Sequence, residues 1–248
     1  MSPFDRIARR PRFLTVIVAA LLAGACAWKV PTVSLPNDFK EEGVFWNEEG
    51  ELVYFGALEE NNNRAFFEVV EGRPEPPALL VIASQGGTII HGLEIGRWVH
   101  ENEVTVRVVG LCASSCANYI FTAAPRRQLY EDSIVAWKGS AWQTSWDERA
   151  ESGDQVLIEQ RQEEAAFFSR IGVDRRISTY GQGKVGSWDR LAAWITGRPI
   201  QGFDYSIEDM ALFGVTDIEL LDGNWDWRRH NRSNNVLRVA VDPEELRP

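Results

Sequence analysis

Histidine and cysteine are scarce in this chain of 248 residues, with three residues of each type. A zinc site needs three or four such side chains brought together, so no metal site is predicted. Basic residues are outnumbered, because 26 lysines and arginines stand against 36 aspartates and glutamates, which gives a formal net charge of −10. A chain of this charge repels phosphate groups, which argues against a nucleic-acid partner. The sequence also lacks a Gly-rich loop that ends in Lys-Ser or Lys-Thr, and no nucleotide or other cofactor is predicted.

The overall composition is that of a globular protein, with 44% hydrophobic and 25% charged residues. It excludes a disordered chain, a collagen-like chain and a protein with many membrane spans. One soluble domain usually takes about 100 to 200 residues, so the length predicts one domain with a leader or a tail.

The N-terminus has the pattern of a secretory signal. Residues 1–12 carry four arginines and one aspartate, and residues 13–28 then contain no charged residue. A basic region followed by a short apolar run is typical of a signal peptide, and this run is shorter than the roughly 20 residues of a spanning helix. Small residues precede Cys26 as in a bacterial lipobox, so Cys26 is a candidate lipidation site. Cleaved secretion, lipidation and a retained membrane anchor remain alternatives, and each predicts that the rest of the chain is exported and faces the periplasm.

The remaining chain alternates apolar strands with amphipathic helices, which predicts an α/β fold with a mostly parallel sheet. The continuous apolar run at 78–83 is typical of a strand that is buried on both faces. The predicted strands are 52–55, 78–83, 104–109 and 133–137, and the main predicted helices are 59–72, 154–171, 188–195 and 207–213. We divide the chain into a leader at 1–28, a spacer at 29–49, an α/β domain at 50–222 and a tail at 223–248 with an edge strand at 236–241.

Two turns that follow predicted strands carry the residues suited to catalysis. The first turn reads Ser84-Gln85-Gly86-Gly87. Glycine allows the backbone to expose its N–H groups without a side chain in the way, and such groups stabilise an oxyanion. We therefore assign Gly86 and Gly87 to a candidate oxyanion hole.

The second turn, at 110–116, places Ser114 and Ser115 at the start of a predicted helix. A serine in a sharp strand-to-helix turn has its hydroxyl directed outward, and the next backbone N–H joins the oxyanion hole. Both serines are candidate nucleophiles, and Cys116 supplies the next N–H if Ser115 is the nucleophile.

These two turns carry a resemblance to a known family. The stretches at 80–87, 110–124 and 205–215 resemble the proteolytic subunit of Clp-type proteases within the ClpP/crotonase superfamily, and more closely its exported bacterial relatives. The resemblance covers roughly residues 50–222. It implies a ClpP/crotonase-like fold of repeated ββα-type units and an exported serine peptidase that acts on a peptide or protein substrate. It also allows a homo-oligomer. Membrane contact through the N-terminal segment is expected from the leader sequence.

The family pattern leaves the nucleophile between the two serines. Counting from Gly110 leads to Ser114, and counting back from the end of the helix leads to Ser115. An inserted residue is accommodated more easily in a turn than in a helix, so we favour Ser115 and keep Ser114 as the alternative.

Two cysteines lie on either side of these serines. Removal of Cys26 with the leader leaves Cys112 and Cys116, in a compartment where disulfides persist. Across a turn, their Cα atoms can lie within the roughly 4.4–6.8 Å that a disulfide needs. We therefore predict a disulfide between Cys112 and Cys116.

The chain departs from the family at the general base. The family carries a catalytic histidine at the end of the next strand, where this sequence has Lys138. A neutral lysine serves as general base in Ser-Lys dyads, and burial beside Trp137, Trp142 and Trp146 would favour the neutral form. The alternative is that catalysis is lost and the chain is an inactive ClpP-fold module that binds a peptide or a protein.

The remaining polar candidates have weaker support. A third, orienting catalytic residue is left unassigned between Asp189 and Asp204, and His91 is ascribed to a solvated helix face. A crotonase-type enzyme that holds an acyl-CoA thioester is disfavoured, because an acidic chain outside the cytoplasm fits a CoA ligand poorly.

Overall fold

The computed structural model of the chain describes residues 42–232 and 235–247. The leader, with the candidate lipidation site Cys26, and most of the predicted spacer lie outside the described residues. Across residues 42–232 and 235–247, no helix is both long enough and apolar enough to cross a membrane.

A seven-stranded sheet lies at the centre of the described part of the chain. The strands are, in chain order, β1 Gly43–Trp46, β2 Leu52–Phe55, β3 Leu79–Ser84, β4 Thr105–Ala113, β5 Arg127–Leu129, β6 Ile134–Ala136, β7 Gly202–Asp204, β8 Ile218–Leu220 and β9 Val236–Arg238. The order along the sheet is β1-β2-β3-β4-β5-β8, β6 also pairs with β4, and β7 and β9 form a separate pair. Within these sheets the β1–β2 pair is antiparallel and the other pairs are parallel. The predicted α/β fold with a mostly parallel sheet is confirmed.

The middle of the sheet is built from the two most apolar strands. Every residue of β3 after Leu79 is buried, and β4 is buried except at Arg107, as expected for parallel strands covered on both faces. The sheet begins earlier in the chain than predicted, because β1 lies within the stretch 29–49 that the sequence analysis treated as a spacer.

Strand β4 is longer than the predicted strand at 104–109. It continues through Gly110 to Ala113, and it pairs first with β5 and then with β6 along the same edge. Gly110 has a φ of +69°, and the register between β3 and β4 shifts beside it. The prediction was wrong at this point because a glycine after an apolar run usually marks a turn, whereas here it forms a bulge that lets the strand continue.

The helices are, in chain order, α1 Glu60–Glu71, α2 Ile89–Glu101, α3 Asp147–Glu151, α4 Gln155–Ile171, α5 Tyr180–Lys184, α6 Ser187–Thr196, α7 Ile207–Leu212 and α8 Trp227–His230. A π-helix at Cys116–Phe121 follows β4, and 3-10 helices lie at Thr144–Trp146, Arg175–Ser178 and Pro243–Leu246. The four main predicted helices are confirmed to within one residue at each end. The longest, α4, starts where the side chain of Asp154 accepts the Leu157 N–H and ends at Gly172 in the left-handed conformation.

Helix α2 and the π-helix after β4 lie in close contact. Gly92 and Gly96 face the π-helix, and a Cβ on Gly92 would come within 3.0 Å of the Cβ of Ser115. Small residues on one helix allow the other helix to approach closely. Here the π-helix occupies the space that side chains at Gly92 and Gly96 would need. The helix that follows the glycine turn therefore packs directly on the helix that follows the two serines.

One buried carboxylate of the domain binds three side chains of the C-terminal tail. Asp204, at the end of β7, is completely buried. It accepts hydrogen bonds from the indole N–H of Trp227 at 2.9 Å, from Arg228 at 2.6 Å and from Arg238 at 3.0 Å. The strand predicted at 236–241 is present as the shorter β9, and it pairs with β7 rather than with the large sheet.

We expect Asp204→Ala to lower the free energy of unfolding by about 2–3 kcal/mol. The substitution leaves the indole and both guanidinium groups without their carboxylate, and the loss stays below that of a fully buried pair because both arginines are partly exposed. Urea unfolding followed by tryptophan fluorescence measures the change. Glu244→Ala removes an exposed pair with Arg247 and serves as control, with an expected change within about 0.5 kcal/mol. Equal stability of the two variants would contradict the role of Asp204.

Candidate active site

The chain turns sharply from β4 into the π-helix at Ser114, and we call residues 112–116 the β4 elbow. Ser114 has a φ of +54°, in the left-handed region that residues with a side chain rarely adopt. Its N–H donates to the carbonyl of Ala136 at 2.8 Å, and its carbonyl accepts the N–H of Asn118 at 2.8 Å. Ser114 is a partly exposed residue. A partly exposed serine in such a turn between a strand and a helix is typical of a nucleophile elbow.

A disulfide joins the two ends of the elbow. Cys112 and Cys116 are bonded, with their Cα atoms 5.2 Å apart, and both residues are completely buried. The predicted pairing is confirmed. The disulfide links the end of β4 to the start of the π-helix, so it limits the movement of the two serines between the cysteines.

The two candidate nucleophiles occupy different surroundings. Ser115 is only 3% exposed, and its hydroxyl donates to the carbonyl of Gly87 at 2.9 Å. This bond ties the elbow to the glycine turn. Ser114 is the more exposed of the two residues, and it occupies the strained position of the turn.

The backbone of Gly86 lies directly against the elbow. Gly86 has a φ of +88°, and a Cβ at this position would lie 2.8 Å from the Cβ of Ser114 and 2.9 Å from the nitrogen of Ser115. A residue with a side chain therefore cannot replace it without moving the elbow. The N–H of Gly86 donates to Oγ of Ser84 at 3.1 Å, so this predicted oxyanion donor is engaged within its own turn.

The backbone N–H and C=O groups of Gly87 point toward the β4 elbow. Leu58 donates to the carbonyl of Gly86 at 2.9 Å and accepts from the N–H of Thr88 at 3.1 Å, which is the pattern of a parallel bridge centred on Gly87. In an extended residue of this kind the N–H and C=O groups point away from the paired strand. The carbonyl of Gly87 accordingly accepts the hydroxyl of Ser115, and its N–H lies on the same side in an exposed residue. Cys116, the third predicted donor residue, is buried at the start of the π-helix.

The structure brings Lys138 to the same edge of the sheet as the serines. Ala136 at the end of β6 is paired with Ala113 at the end of β4, and Lys138 follows two residues later. Trp137 between them is completely buried, whereas Lys138 is exposed. The carbonyl of Lys138 accepts a hydrogen bond from Nε2 of Gln182 at 2.9 Å. The dry surroundings predicted for this lysine from the neighbouring tryptophans are not provided by the described residues.

Two polar residues that the sequence analysis missed hold the loop after Lys138. The amide of Asn118, on the π-helix, donates to the carbonyl of Gly139 at 2.6 Å. The carboxyl group of Glu164, on α4, accepts the N–H of Ala141 at 3.0 Å. Glu164 lies on the apolar stripe of its helix, four residues before Phe168, and an acid at that position was the available signal for a buried carboxyl group.

Burial of Glu164 raises its pKa to about 7 from an ordinary value of 4.5. The loss of contact with water is the largest cause, and hydrogen bonds from Ser140 and Ala141 lower the pKa by less. The group is completely buried, so its protonated form is the one that the folded protein favours at mildly acidic pH.

The other predicted polar candidates have contacts of their own. Nδ1 of His91 lies 2.8 Å from the hydroxyl of Thr88 at the start of α2. Asp189 accepts the N–H of Gly186 at 2.8 Å at the start of α6, and Asp204 holds the C-terminal tail. In residues 42–232 and 235–247, no group of histidine, cysteine and acidic side chains is arranged to hold a metal ion.

Comparison of the chain with protein-family models and with curated proteins gives no match in either case.

We expect the contribution of Glu164 to the stability of the folded protein to fall as the pH rises from about 4.5 to about 7. The pKa of Glu164 is higher in the folded chain, at about 7, than the ordinary 4.5, so the unfolded chain releases this proton first and unfolding becomes more favourable over that range. A difference of this size corresponds to roughly 3 kcal/mol at about 1.4 kcal/mol per pH unit. Glu164→Gln should remove this decline and make the protein more stable than wild type at pH 8, as measured by urea unfolding at several pH values.

The neighbouring exposed residue supplies the control for this measurement. Glu163 pairs with Arg97 at the surface, and Glu163→Gln should leave the pH dependence of the wild type unchanged. Parallel stability curves for wild type and Glu164→Gln would show that Glu164 does not titrate in this range.

Proposed function

We propose that the chain is an exported serine hydrolase of the ClpP-like kind that cuts peptide bonds, with Ser114 as its nucleophile. The observation that carries this proposal is the β4 elbow, where a partly exposed serine with a φ of +54° stands between a buried strand and a helix. The ClpP/crotonase-like arrangement of repeated ββα units belongs to the proposal. It is supported by the neighbouring positions of β3 and β4, each of which ends in one of the two corners of the proposed site.

The geometry favours Ser114 as the nucleophile. The sequence favoured Ser115, because an inserted residue is accommodated more easily in the turn than in the helix. The hydroxyl of Ser115 is buried and donates to the carbonyl of Gly87, so its proton is committed to a structural bond. Ser114 has the exposure that an approaching carbonyl carbon needs. Its left-handed backbone also costs roughly 1–3 kcal/mol, a strain that is typically retained at functional positions.

With Ser114 as nucleophile, the oxyanion would be held by the N–H groups of Gly87 and Ser115. Ser115 is the residue after the nucleophile, and its nitrogen lies beside the Gly86 backbone. Gly87 directs its N–H to the elbow side, whereas the N–H of Gly86 is bonded to Ser84. Of the three residues in the hole predicted from the sequence, this pair retains Gly87, omits Gly86 and Cys116, and adds Ser115. Donors held in advance by the sheet need no reorganisation when negative charge develops.

Lys138 is the proposed general base. In its neutral form Nζ would take the proton of the Ser114 hydroxyl as Oγ attacks the carbonyl carbon of the substrate. The tetrahedral intermediate would then break its C–N bond, and the leaving amine would take the proton from Nζ. Water would then attack the acyl-enzyme and give its proton to Nζ, and Oγ of Ser114 would leave and take that proton back. Lys138 is exposed in the chain alone, so a bound substrate would have to cover it and favour the neutral form.

Export, a peptide or protein substrate, a homo-oligomer and membrane contact through the N-terminal segment are parts of the same proposal. They rest on the leader sequence and on the family resemblance. The disulfide supports export, because disulfides persist outside the cytoplasm and are rare inside it.

A second function is favoured by the exposure of Lys138. If the lysine is always charged, the elbow lacks a base and the chain is an inactive ClpP-fold module that binds a peptide or a protein. The same cleft would then retain its backbone donors for binding without hydrolysis.

We expect a fluorophosphonate probe to label the wild-type chain at Ser114. Ser114→Ala should abolish labelling because the attacking oxygen is absent. Ser115→Ala is the matched control: it removes the bond to Gly87, costs about 1 kcal/mol of stability, and should retain labelling. Mass spectrometry of the labelled peptide identifies the modified serine. Labelling that persists in Ser114→Ala but is lost in Ser115→Ala would assign the nucleophile to Ser115 instead, and the absence of labelling in the wild type would favour the inactive module.

We expect Lys138→Arg to abolish hydrolysis of a mixed peptide library without unfolding the protein. Arginine keeps the positive charge but does not lose its proton in proteins, so it cannot act as base. Lys138→His should retain turnover and give a rate that rises with pH through about 6.5, the ordinary range of histidine. Rates between pH 5 and pH 10 distinguish these outcomes, with circular dichroism as the check on folding. Equal rates for wild type and Lys138→Arg would exclude Lys138 as the base.

A further inference from the structure

A pocket of about 760 Å³ lies beside Lys138, between α6 and the loop that follows β6. Its volume falls within the roughly 300–1,000 Å³ of ordinary small-ligand sites. Much of its wall is apolar, and the side chains that form this part are Val185, Ala193, Trp194, Pro199, Ile200 and Phe203.

The pocket is connected to the proposed active site through the backbone. Phe203 lines the pocket, and its N–H and C=O both pair with Trp137 at 2.8 Å. Trp137 directly precedes Lys138, which also lines the pocket, and the N–H of Ser114 is bonded to the preceding Ala136. The pocket therefore begins at the carboxyl ends of the strands that carry Ser114 and Lys138.

The charge of the pocket is opposite to that of the chain. No aspartate or glutamate lines it, although acidic residues outnumber basic ones by 36 to 26 in the whole sequence. Arg190, on α6, lines the pocket, and its guanidinium has no hydrogen bond or ion pair with any residue that the structure describes. Guanidinium groups pair with carboxylates through two parallel hydrogen bonds, so an arginine beside an apolar wall suits an apolar ligand with a carboxylate.

We propose that this pocket binds an apolar chain that ends in a carboxylate, with the chain against Trp194 and the carboxylate on Arg190. The proposed function favours the C-terminal segment of a peptide as the source of this ligand, and to that extent the inference rests on it. A free fatty acid presents the same chemistry. Lys138 also lines the pocket, so a ligand seated beside it would cover this lysine.

The test measures binding without turnover. Fluorescence polarisation is recorded for a fluorescein-labelled peptide of six apolar residues with a free C-terminal carboxylate, and for the same peptide with a C-terminal amide. The protein is the full-length Ser114→Ala chain, which cannot hydrolyse the probe by the proposed mechanism. The carboxylate peptide should bind about tenfold more tightly than the amide, the size of one charge-assisted interaction of about 1.4 kcal/mol.

Variants on α6 separate the two parts of the pocket. Arg190→Gln should remove the preference for the carboxylate, and Trp194→Ala should weaken both peptides about tenfold by removing a large apolar contact. Trp188→Ala is the matched control, since Trp188 lies on the same helix, is 82% exposed and is not part of the pocket wall. Arg170→Gln removes an exposed arginine that is paired with Glu101, and should change neither affinity.

Competition with dodecanoate identifies the source of the ligand. Displacement of the peptide supports a free fatty acid as a ligand of the pocket, and retention of the peptide supports a peptide C-terminus. Equal affinity for acid and amide, an undiminished preference in Arg190→Gln, or no binding of either peptide overturns the proposal. Labelling of Ser114 by the fluorophosphonate probe is measured separately from peptide binding. The two experiments therefore distinguish a chain that binds the peptide but has no hydrolase activity from a hydrolase whose pocket does not bind the peptide.

Discussion

The contact between Gly86 and the β4 elbow is the constraint on which the rest of the site depends. A Cβ on Gly86 would lie 2.8 Å from Ser114, so the two corners can meet only because this residue has no side chain. The contact brings the glycine turn after β3 and the serine turn after β4 to one point. The hydroxyl of Ser115, bonded to Gly87, and the disulfide across the elbow then hold that arrangement from two sides. A strained serine is kept in place because its neighbours leave it no alternative.

A second set of polar contacts holds the loop after β6 in place. Asn118 reaches Gly139, and Glu164 reaches Ala141, so the loop that begins at Lys138 is bonded to two different helices. Arg127 supports the same region from the other end of the π-helix, where it donates to the carbonyls of Phe121 at 2.8 Å and Thr122 at 2.6 Å. These bonds satisfy carbonyl groups that the end of a helix leaves without partners. Burial lowers the pKa of Arg127 to about 10, which is still high enough for the arginine to remain charged at neutral pH.

The sequence was sufficient for the features that depend on local pattern. The buried run at 79–84, the periodic stripe of α4 and the pair of cysteines each had a signal within a few residues, and each is present in the structure. Features that depend on distant partners were missed. The short strands β5 and β7 have three residues each, which is too few for a recognisable period, and they exist because β4 and β9 pair with them. The choice between the two serines also depended on distant atoms, since the carbonyl of Gly87, 28 residues away in sequence, is what engages Ser115.

The proposed catalytic groups are divided between a rigid part and an exposed part. Ser114 and the amides beside it are held by the sheet, the glycine contact and the disulfide, so they need no substrate to be in position. Lys138 is exposed beyond the end of β6 and lines a pocket whose wall is formed largely by α6 and the segment that precedes β7. A ligand in that pocket would exclude water from the lysine while it places its own chain beside the elbow. Under the proposed mechanism, Lys138 therefore becomes an effective base only when the substrate covers it. A substrate that leaves the pocket empty would bind at the elbow without being cut.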